Sequence, residues 1–325
     1  MKKSILLLIV IGIAISLCGC KKAEQSESKY RIAGIVFQKD QFFRLVEFGM
    51  KDAADKHNCE LMLANSGNKP DKEIQLVNTY ISRGVDAIVI SPVSATASKA
   101  ALQRAHEKDI KVITYNTTVE GDIPSAYIES NQQDLGARSG AAAREYIEKN
   151  LGGKAKVAIL AFKSQVPEQS NARSEGFKSE VLKLEGVEII AEQDAWLAEM
   201  AVKKCGDIIT ANPDLDIIWA ANEGGTVGAV MAVRNAGKEG KIAVFGTDTS
   251  KQLTDLLLAD DGVLQAITGQ KPFDIGSIAV TSAVRILKGE QVQSRVSIPG
   301  VMLSRQDPNQ VIQFQRNLDE LLKQN

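Results

Sequence analysis

Ala87-Ile88-Val89-Ile90, then a helical stretch from Ala95 to Glu107, then Val112-Ile113-Thr114-Tyr115 is the passage that decides the fold. Both apolar runs are short and rich in β-branched residues, which marks them as strands. They are nearly continuous in apolar character, so both faces of each strand are expected to be buried, as in a parallel sheet covered by helices. The same alternation extends outward in both directions. Upstream, Arg31 to Phe37 and Leu61-Met62-Leu63 read as strands. The apolar spacing Phe43, Val46, Met50, Ala53 predicts a helix between them, and a further helix is expected over Lys72 to Arg83.

Downstream, a second set begins near Asn131. A helix carrying Leu135, Ala142 and Tyr146 leads to Val157-Ala158-Ile159-Leu160, then a helix over Arg173 to Leu182 and a strand at Ile189-Ile190. A helix over Ala198 to Thr210, a strand at Ile217-Ile218-Trp219-Ala220, a helix over Thr226 to Asn235 and a strand at Ile242-Ala243-Val244-Phe245 follow. The expected fold is α/β, with two doubly wound parallel-sheet units of the Rossmann-like kind.

The N-terminus reads differently. Lys2 and Lys3 precede an apolar run from Ile5 to Leu17 that ends in Leu17-Cys18-Gly19-Cys20. A charged start, a short apolar core and a small residue before the cut make a secretory signal over residues 1–19. The run is shorter than the roughly 20 apolar residues a permanent span requires. Its ending resembles a bacterial lipoprotein box, with Cys20 as the lipidated residue; bulky Leu17 makes Cys18 the poorer candidate. Residues 20–29 are then a polar, lipidated tether, and the rest of the chain is placed outside the cytoplasm, held to a membrane by its lipid.

Composition narrows the functional classes. The chain has 325 residues, 44% hydrophobic and 24% charged, which suits a globular protein of two domains. A net charge of −1 gives no whole-chain basis for binding nucleic acid. Cys59 and Cys205 are expected as free, buried thiols, and His57 and His106 as surface residues outside any metal-ligand spacing. Neither a metal nor a cofactor is expected.

In open parallel sheets, ligands bind beyond the carboxyl ends of the strands. The residues at those ends are Asp40 to Phe43, Ser91 and Asn116 in the first unit, and Asn222 and Asp248 in the second. Carboxylates, amides and a hydroxyl suit a sugar, whose hydroxyls both donate and accept, while flat aromatic side chains suit its C–H faces. Phe42, Phe43 and Trp196 stand out in a chain only 5% aromatic. Each has a plainer role open to it. Asn222 and Asp248 are also good helix caps, Asp40 a turn residue, Arg173 a surface ion-pair partner. Phe43 fits its helix's apolar stripe, whereas Phe42 lies off it.

The order and spacing of several short motifs resemble a family, the type 1 periplasmic sugar-binding proteins of ATP-binding-cassette importers, above all the ribose and glucose/galactose receptors. The motifs are Asp40-Gln41-Phe42-Phe43, Gly84-Val85-Asp86-Ala87-Ile88, Val112 to Asn116, Asn131 to Gly136, Arg173 to Phe177, Ala221-Asn222-Glu223, Gly246-Thr247-Asp248 and Gly269-Gln270. The resemblance implies two lobes joined by three hinge crossovers, near Ile128–Asn131, Thr268–Lys271 and Pro299–Val301. Lobe I would comprise residues 30–129 plus 271–298, and lobe II residues 130–270 plus 299–325. It further implies ligand contacts from Asp40, Asn116, Asn222, Asp248 and Gln270, with Phe42 and Trp196 as opposing walls. Either Arg173 or Asn171 matches the receptors' arginine. Specificity departs from both close relatives: ribose receptors carry Asn at Ser91 and Asp-Arg at Asn116-Thr117, and the galactose receptors' calcium loop has no counterpart here.

The function implied is capture of a monosaccharide or related polyol by a monomeric lipoprotein that delivers it to an importer's permease. A receptor serving a chemoreceptor or sensor kinase shares these features. A repressor with this core would carry a helix-turn-helix where this chain has its leader, and no Gly-x-Gly-x-x-Gly, Walker or Gly-x-Ser-x-Gly motif points to an enzyme.

Overall fold

The computed structural model describes residues 29–323; the leader, Cys20 and the tether ahead of Lys29 lie outside the described residues. The first run of elements is β1 (Arg31–Val36), α1 (Gln41–Lys56), β2 (Glu60–Asn65), α2 (Pro70–Arg83), β3 (Ala87–Ile90), α3 (Lys99–His106), β4 (Lys111–Tyr115) and β5 (Ala126–Ser130). The second is α4 (Gln132–Asn150), β6 (Lys154–Ala161), α5 (Pro167–Val181), β7 (Gly186–Asp194), α6 (Ala198–Ala211), β8 (Ile217–Ala220), α7 (Glu223–Asn235), β9 (Ala243–Thr247), α8 (Lys251–Leu258) and β10 (Leu264–Gly269). Last come α9 (Pro272–Leu287), β11 (Arg295–Ile298), β12 (Val301–Ser304) and α10 (Pro308–Lys323).

The strands form two six-stranded sheets in the same spatial order, β2-β1-β3-β4-β5-β11 and β7-β6-β8-β9-β10-β12. Every pairing in the first sheet is parallel. The second is parallel except that β12 runs antiparallel to β10, a departure from the all-parallel expectation. The cause is the connection: only Pro299 and Gly300 separate β12 from the end of β11 in the other sheet, so β12 starts at the inter-lobe passage with Val301 opposite Gly269, the end of β10, and must run back along it. The strands read as continuous apolar runs, β3 and β8, are buried at every position.

The chain passes between the sheets after β5, after β10 and between β11 and β12. These three passages lie side by side. Asn131 N–H donates to the Ile298 carbonyl at 2.8 Å, Ser130 Oγ donates to Gln270 Oε1 at 2.8 Å, and Gly300 N–H donates to Asp134 Oδ2 at 2.9 Å.

The first helix of each lobe packs through glycine against a partner helix. A Cβ on Gly49 of α1 would fall 1.9 Å from the Phe273 carbonyl of α9, and one on Gly276 would fall 2.0 Å from the Val46 carbonyl. In the other lobe, Gly136 of α4 would meet the Arg173 carbonyl of α5 at 1.9 Å, and Gly176 the Gln133 carbonyl at 2.1 Å. Backbone touches backbone at both crossings, which only glycine allows.

α3 begins at Lys99, later than the apolar pattern from Ala95 predicts. Ser94 Oγ accepts from the N–H groups of Thr96 and Ala97, a local bond that competes with helix. Ser98 Oγ is held instead by the buried Glu73 carboxylate, which also accepts from Val93 N–H at 2.7 Å. Cys205 is buried in the second lobe's core, where burial pushes its thiol up to about 12, whereas Cys59 is only half-buried. His57 is also half-buried, its Nε2 lying 3.2 Å from Thr281 Oγ1 of α9, so it is less exposed than the sequence pattern suggests.

Candidate ligand-binding cleft

The carboxyl ends of the strands carry most of the expected residues, held by bonds that their own helices need. Asp40 precedes α1: its Oδ1 accepts from Phe43 N–H at 2.9 Å and its Oδ2 from Gln38 Nε2 at 2.6 Å. Asn222 precedes α7 in the same manner. Its Oδ1 accepts from Gly225 N–H at 3.2 Å, and its Nδ2 donates to the Trp196 carbonyl at 2.9 Å. Both side chains are therefore caps; an ionised carboxylate has about four acceptor sites, so capping leaves Asp40 room for a ligand hydroxyl.

Asn116 and Asp248 share a backbone peculiarity. They follow β4 and β9, the fourth strands of the two identically ordered sheets, and both have positive φ, 59° and 80°. Asn116 N–H donates to the Ile128 carbonyl at 2.9 Å, and Asp248 N–H to the Thr268 carbonyl at 2.6 Å, one strand over in each case. Left-handed backbone in residues other than glycine favours Asn and Asp and concentrates at functional sites.

Asp248 is the hub of the second lobe's face. Its Oδ2 accepts from Glu223 N–H at 3.0 Å, while Oδ1 lies 3.4 Å from Arg173 Nη1 and 3.5 Å from Gln270 Nε2. Arg173, only 3% exposed, also donates to the Ala221 carbonyl at 2.7 Å and to Gln132 Oε1 at 2.8 Å, and stacks its guanidinium 5.1 Å above the Phe162 ring. Burial pulls its pKa down, and the nearby Asp248 carboxylate works against that. It is a buried brace for Asp248, not the surface partner that its sequence neighbourhood also allowed. Asn171, the rival for the arginine position, is exposed on α5.

A cavity of about 700 Å³ lies between the lobes. The first lobe lines it with Asp40, Gln41, Phe42 and Leu45, the second with Glu223, Asp248, Thr249 and Ser250, and the connecting segment with Gln270 and Lys271. Four of the residues singled out from the sequence, Asp40, Phe42, Asp248 and Gln270, thus meet around one space. Ser91, Asn116, Asn171, Arg173, Trp196 and Asn222 are not part of its lining. Ser91 is fully buried and its Oγ has no hydrogen-bond partner among the described residues. Phe43 is buried in the first lobe's core, its ring stacked 5.6 Å from Phe37 and edge-on to Phe42 at 5.1 Å, so it supports Phe42 from behind instead of facing the cleft. Trp196 is half-buried, whereas Trp219 is wholly enclosed, stacked 4.6 Å from Phe177 with its Nε1 donating to Ser139 Oγ at 2.7 Å.

Sequence reasoning missed Glu223 and Lys271. Glu223 directly follows Asn222, so strand-end position was the available signal. Burial pushes its carboxyl up, as do the carboxylates of Asp248 and Asp40, against a hydrogen bond from Ser250. Among the described residues, no group of three or more His, Cys, Asp or Glu side chains is placed to hold a metal, and no helix is long and apolar enough to cross a membrane.

Two equivalent α/β lobes, three adjacent connections and a cavity between them, where Asp40, Glu223, Asp248 and Gln270 stand among mostly apolar walls, define a two-lobed cleft binder. Residues 35–291 match the family described as periplasmic binding protein domain, and the chain belongs to it. Among its relatives is the ABC transporter periplasmic-binding protein YphF of Escherichia coli, 31% identical over 282 residues, 83% of this chain and 85% of that protein. The ribose import binding protein RbsB of the same organism is 29% identical over 259 residues, 79% and 84% of the two chains. A solved ABC transporter periplasmic solute binding protein from Actinobacillus succinogenes with bound D-allose superposes with a TM-score of 0.76 at 25% identity, covering 87% of this chain and all of the other. These relatives are solute-binding proteins, not enzymes.

Proposed function

We propose that the chain is an extracytoplasmic, lipid-anchored receptor that captures a monosaccharide or related polyol between its lobes and delivers it to an ABC importer in the membrane. The observation that carries this is the single cavity to which the first lobe contributes Asp40 and Phe42 and the second Asp248 and Glu223. Carboxylates and the Gln270 amide accept from and donate to hydroxyls, and hydrogen bonds to charged groups contribute about 1.5–3 kcal/mol each. Phe42 offers a flat apolar wall for ring C–H groups. The names of the relatives, one a ribose importer component and one holding D-allose, favour the same ligand class.

In this reading residues 30–129 with 271–298 move as one lobe and 130–270 with 299–325 as the other, about the three connections. A ligand touching both lobes binds the closed form better than the open one, and so shifts the population toward closure. Closure expels water and strengthens the hydrogen bonds inside. The permease then reads the closed lobe surfaces, and the lipid on Cys20 keeps a monomeric receptor beside it.

Titration calorimetry of the mature protein against D-ribose, D-allose, xylitol, myo-inositol and D-galactose tests the proposal. Binding of at least one, weakened more than tenfold by Asp248→Ala, is expected. Failure of the whole panel, or undiminished affinity in that variant, would overturn it. Release of the Cys20→Ala protein from the membrane fraction is the corresponding test of the anchor.

A further inference from the structure

α10 occupies a place that capture by two lobes does not by itself require. Its first turns belong to the second lobe. Asp307 Oδ1 accepts from Gln310 N–H at 3.1 Å and starts the helix, and Val311 is fully buried in that lobe's core. Gln315 Nε2 donates to Thr254 Oγ1 at 2.9 Å and to Asp255 Oδ1 at 2.8 Å, both on α8. The last turns of α10 pack against the first lobe. Leu318, Leu321 and Leu322 pack with Leu45 and Phe48 of α1 and with Phe273 of α9. The Leu322 carbonyl accepts from Arg44 Nη2 at 3.0 Å, and the Arg44 guanidinium sits 5.5 Å over the Phe48 ring. Phe314 packs in both clusters, at the point where the helix passes from one lobe to the other.

Among the described residues, hydrogen bonds between the lobes occur at the three connecting segments and at this helix. None joins the strand-end residues of one lobe to those of the other, so the cleft itself is unbridged. The same helix forms part of the cavity wall: Phe314, Asn317, Leu318 and Leu321 line the space that Asp40, Asp248 and Gln270 line. A hinge made only of the three connections would leave the lobes free to swing apart. An apolar latch beside it, with one end in each lobe, must slide or break for them to do so.

We propose that α10 is a strap across the flank of the cleft, anchored on the second lobe and latched to the first, which limits how far the lobes open. Its effect on ligand affinity rests on the capture proposed above; its effect on opening does not. With the latch intact, the ligand-free protein stays near the binding-competent separation, and less of the affinity is lost to populations that cannot bind.

The test is small-angle scattering of the ligand-free mature protein and two variants. One ends at Asn317, removing Leu318, Leu321 and Leu322 while keeping Val311, Phe314 and Gln315. The other is L321D/L322D in the full chain, which disrupts the latch at half-buried positions of the last turn. Both are expected to have a larger radius of gyration than wild type, as hinge opening gives, while circular dichroism and cooperative melting show a folded protein. If the truncated chain does not fold, the double variant decides. A folded variant with the wild-type scattering curve would overturn the strap, whether or not any sugar binds. With D-allose as probe, a several-fold loss of affinity should accompany the wider opening. If D-allose does not bind the wild type, another sugar of the panel that does bind replaces it as probe; failure of the whole panel would count against the sugar reading alone, and scattering still decides the strap.

Discussion

Replacing Arg173 with alanine should reveal how much of the second lobe's binding face depends on one buried side chain. The guanidinium is 3% exposed and makes two hydrogen bonds of ordinary length, to the Ala221 carbonyl at 2.7 Å and to Gln132 Oε1 at 2.8 Å. Its contact with Asp248 is longer, 3.4 Å, and Asp248 is 26% exposed, so water offsets part of that loss. Removing one partner of a buried ion pair costs about 3–5 kcal/mol. A buried carbonyl left unpaired costs about 1–3 kcal/mol. The long, partly solvated ion pair puts this case at the low end, a loss of about 3 kcal/mol in unfolding free energy. Arg173→Lys keeps the charge but not the fork that serves Ala221, Gln132 and Asp248 together, so it should recover only part of the loss. Urea denaturation followed by circular dichroism measures both variants. An Arg173→Ala protein within about 0.5 kcal/mol of wild type, the range of ordinary surface substitutions, would refute the brace. So would an Arg173→Lys protein indistinguishable from wild type.

Other perturbations follow from the same geometry. Gly136→Ala should destabilise strongly, because its Cβ would lie 1.9 Å from the Arg173 carbonyl, whereas Gly206→Ala in α6 meets nothing within 4 Å and should stabilise by about 0.4–1 kcal/mol; thermal melts compare the two. Glu223→Gln should become more stabilising relative to wild type as pH rises from about 4.3, the ordinary carboxylate value, toward the raised native value. Burial and two neighbouring carboxylates penalise the charged form, and the gain should vanish in acid, where Glu223 is protonated in both folded and unfolded chains. Urea midpoints at pH 4 and pH 8 check the sign. Trp196 and Trp219 are the two tryptophans; Trp196 lies outside the cavity lining, and the resemblance makes it a wall of the closed cleft, so in a Trp219→Phe background the emission should change on adding a sugar that binds. A flat signal would remove Trp196 from the ligand's surroundings.

The alternation of buried strands and helices was legible because β3, β4 and β8 are nearly continuous apolar runs, a pattern that parallel burial dictates. β5 was not, because its residues alternate buried and half-buried positions and merge with the connection that follows. β12 could not be given its direction from composition; the two-residue link to β11 sets it. α10 carried a readable signal, Asp307-Pro308 followed by apolar residues at Val311, Phe314 and Leu318. What sequence could not supply was that one face of this helix touches both lobes.

At the site, strand-end position found Asp40, Phe42 and Asp248, since topology alone places such residues at a cleft, whereas Gln270 came from the family resemblance. It could not separate Arg173 from Asn171, because two positions on one helix differ in burial only once α4 is packed against α5. Nor could it divide capping from binding for Asn222 and Asp40, since one side-chain oxygen can serve both.

The most direct test of two-lobed capture is a crystal structure of the mature protein with a sugar whose binding calorimetry has established. Density enclosed between Asp40 and Phe42 on one side and Asp248 on the other, with Gln270 at its edge, is the predicted result. A sugar held by one lobe alone, or seated away from this cavity, would contradict it.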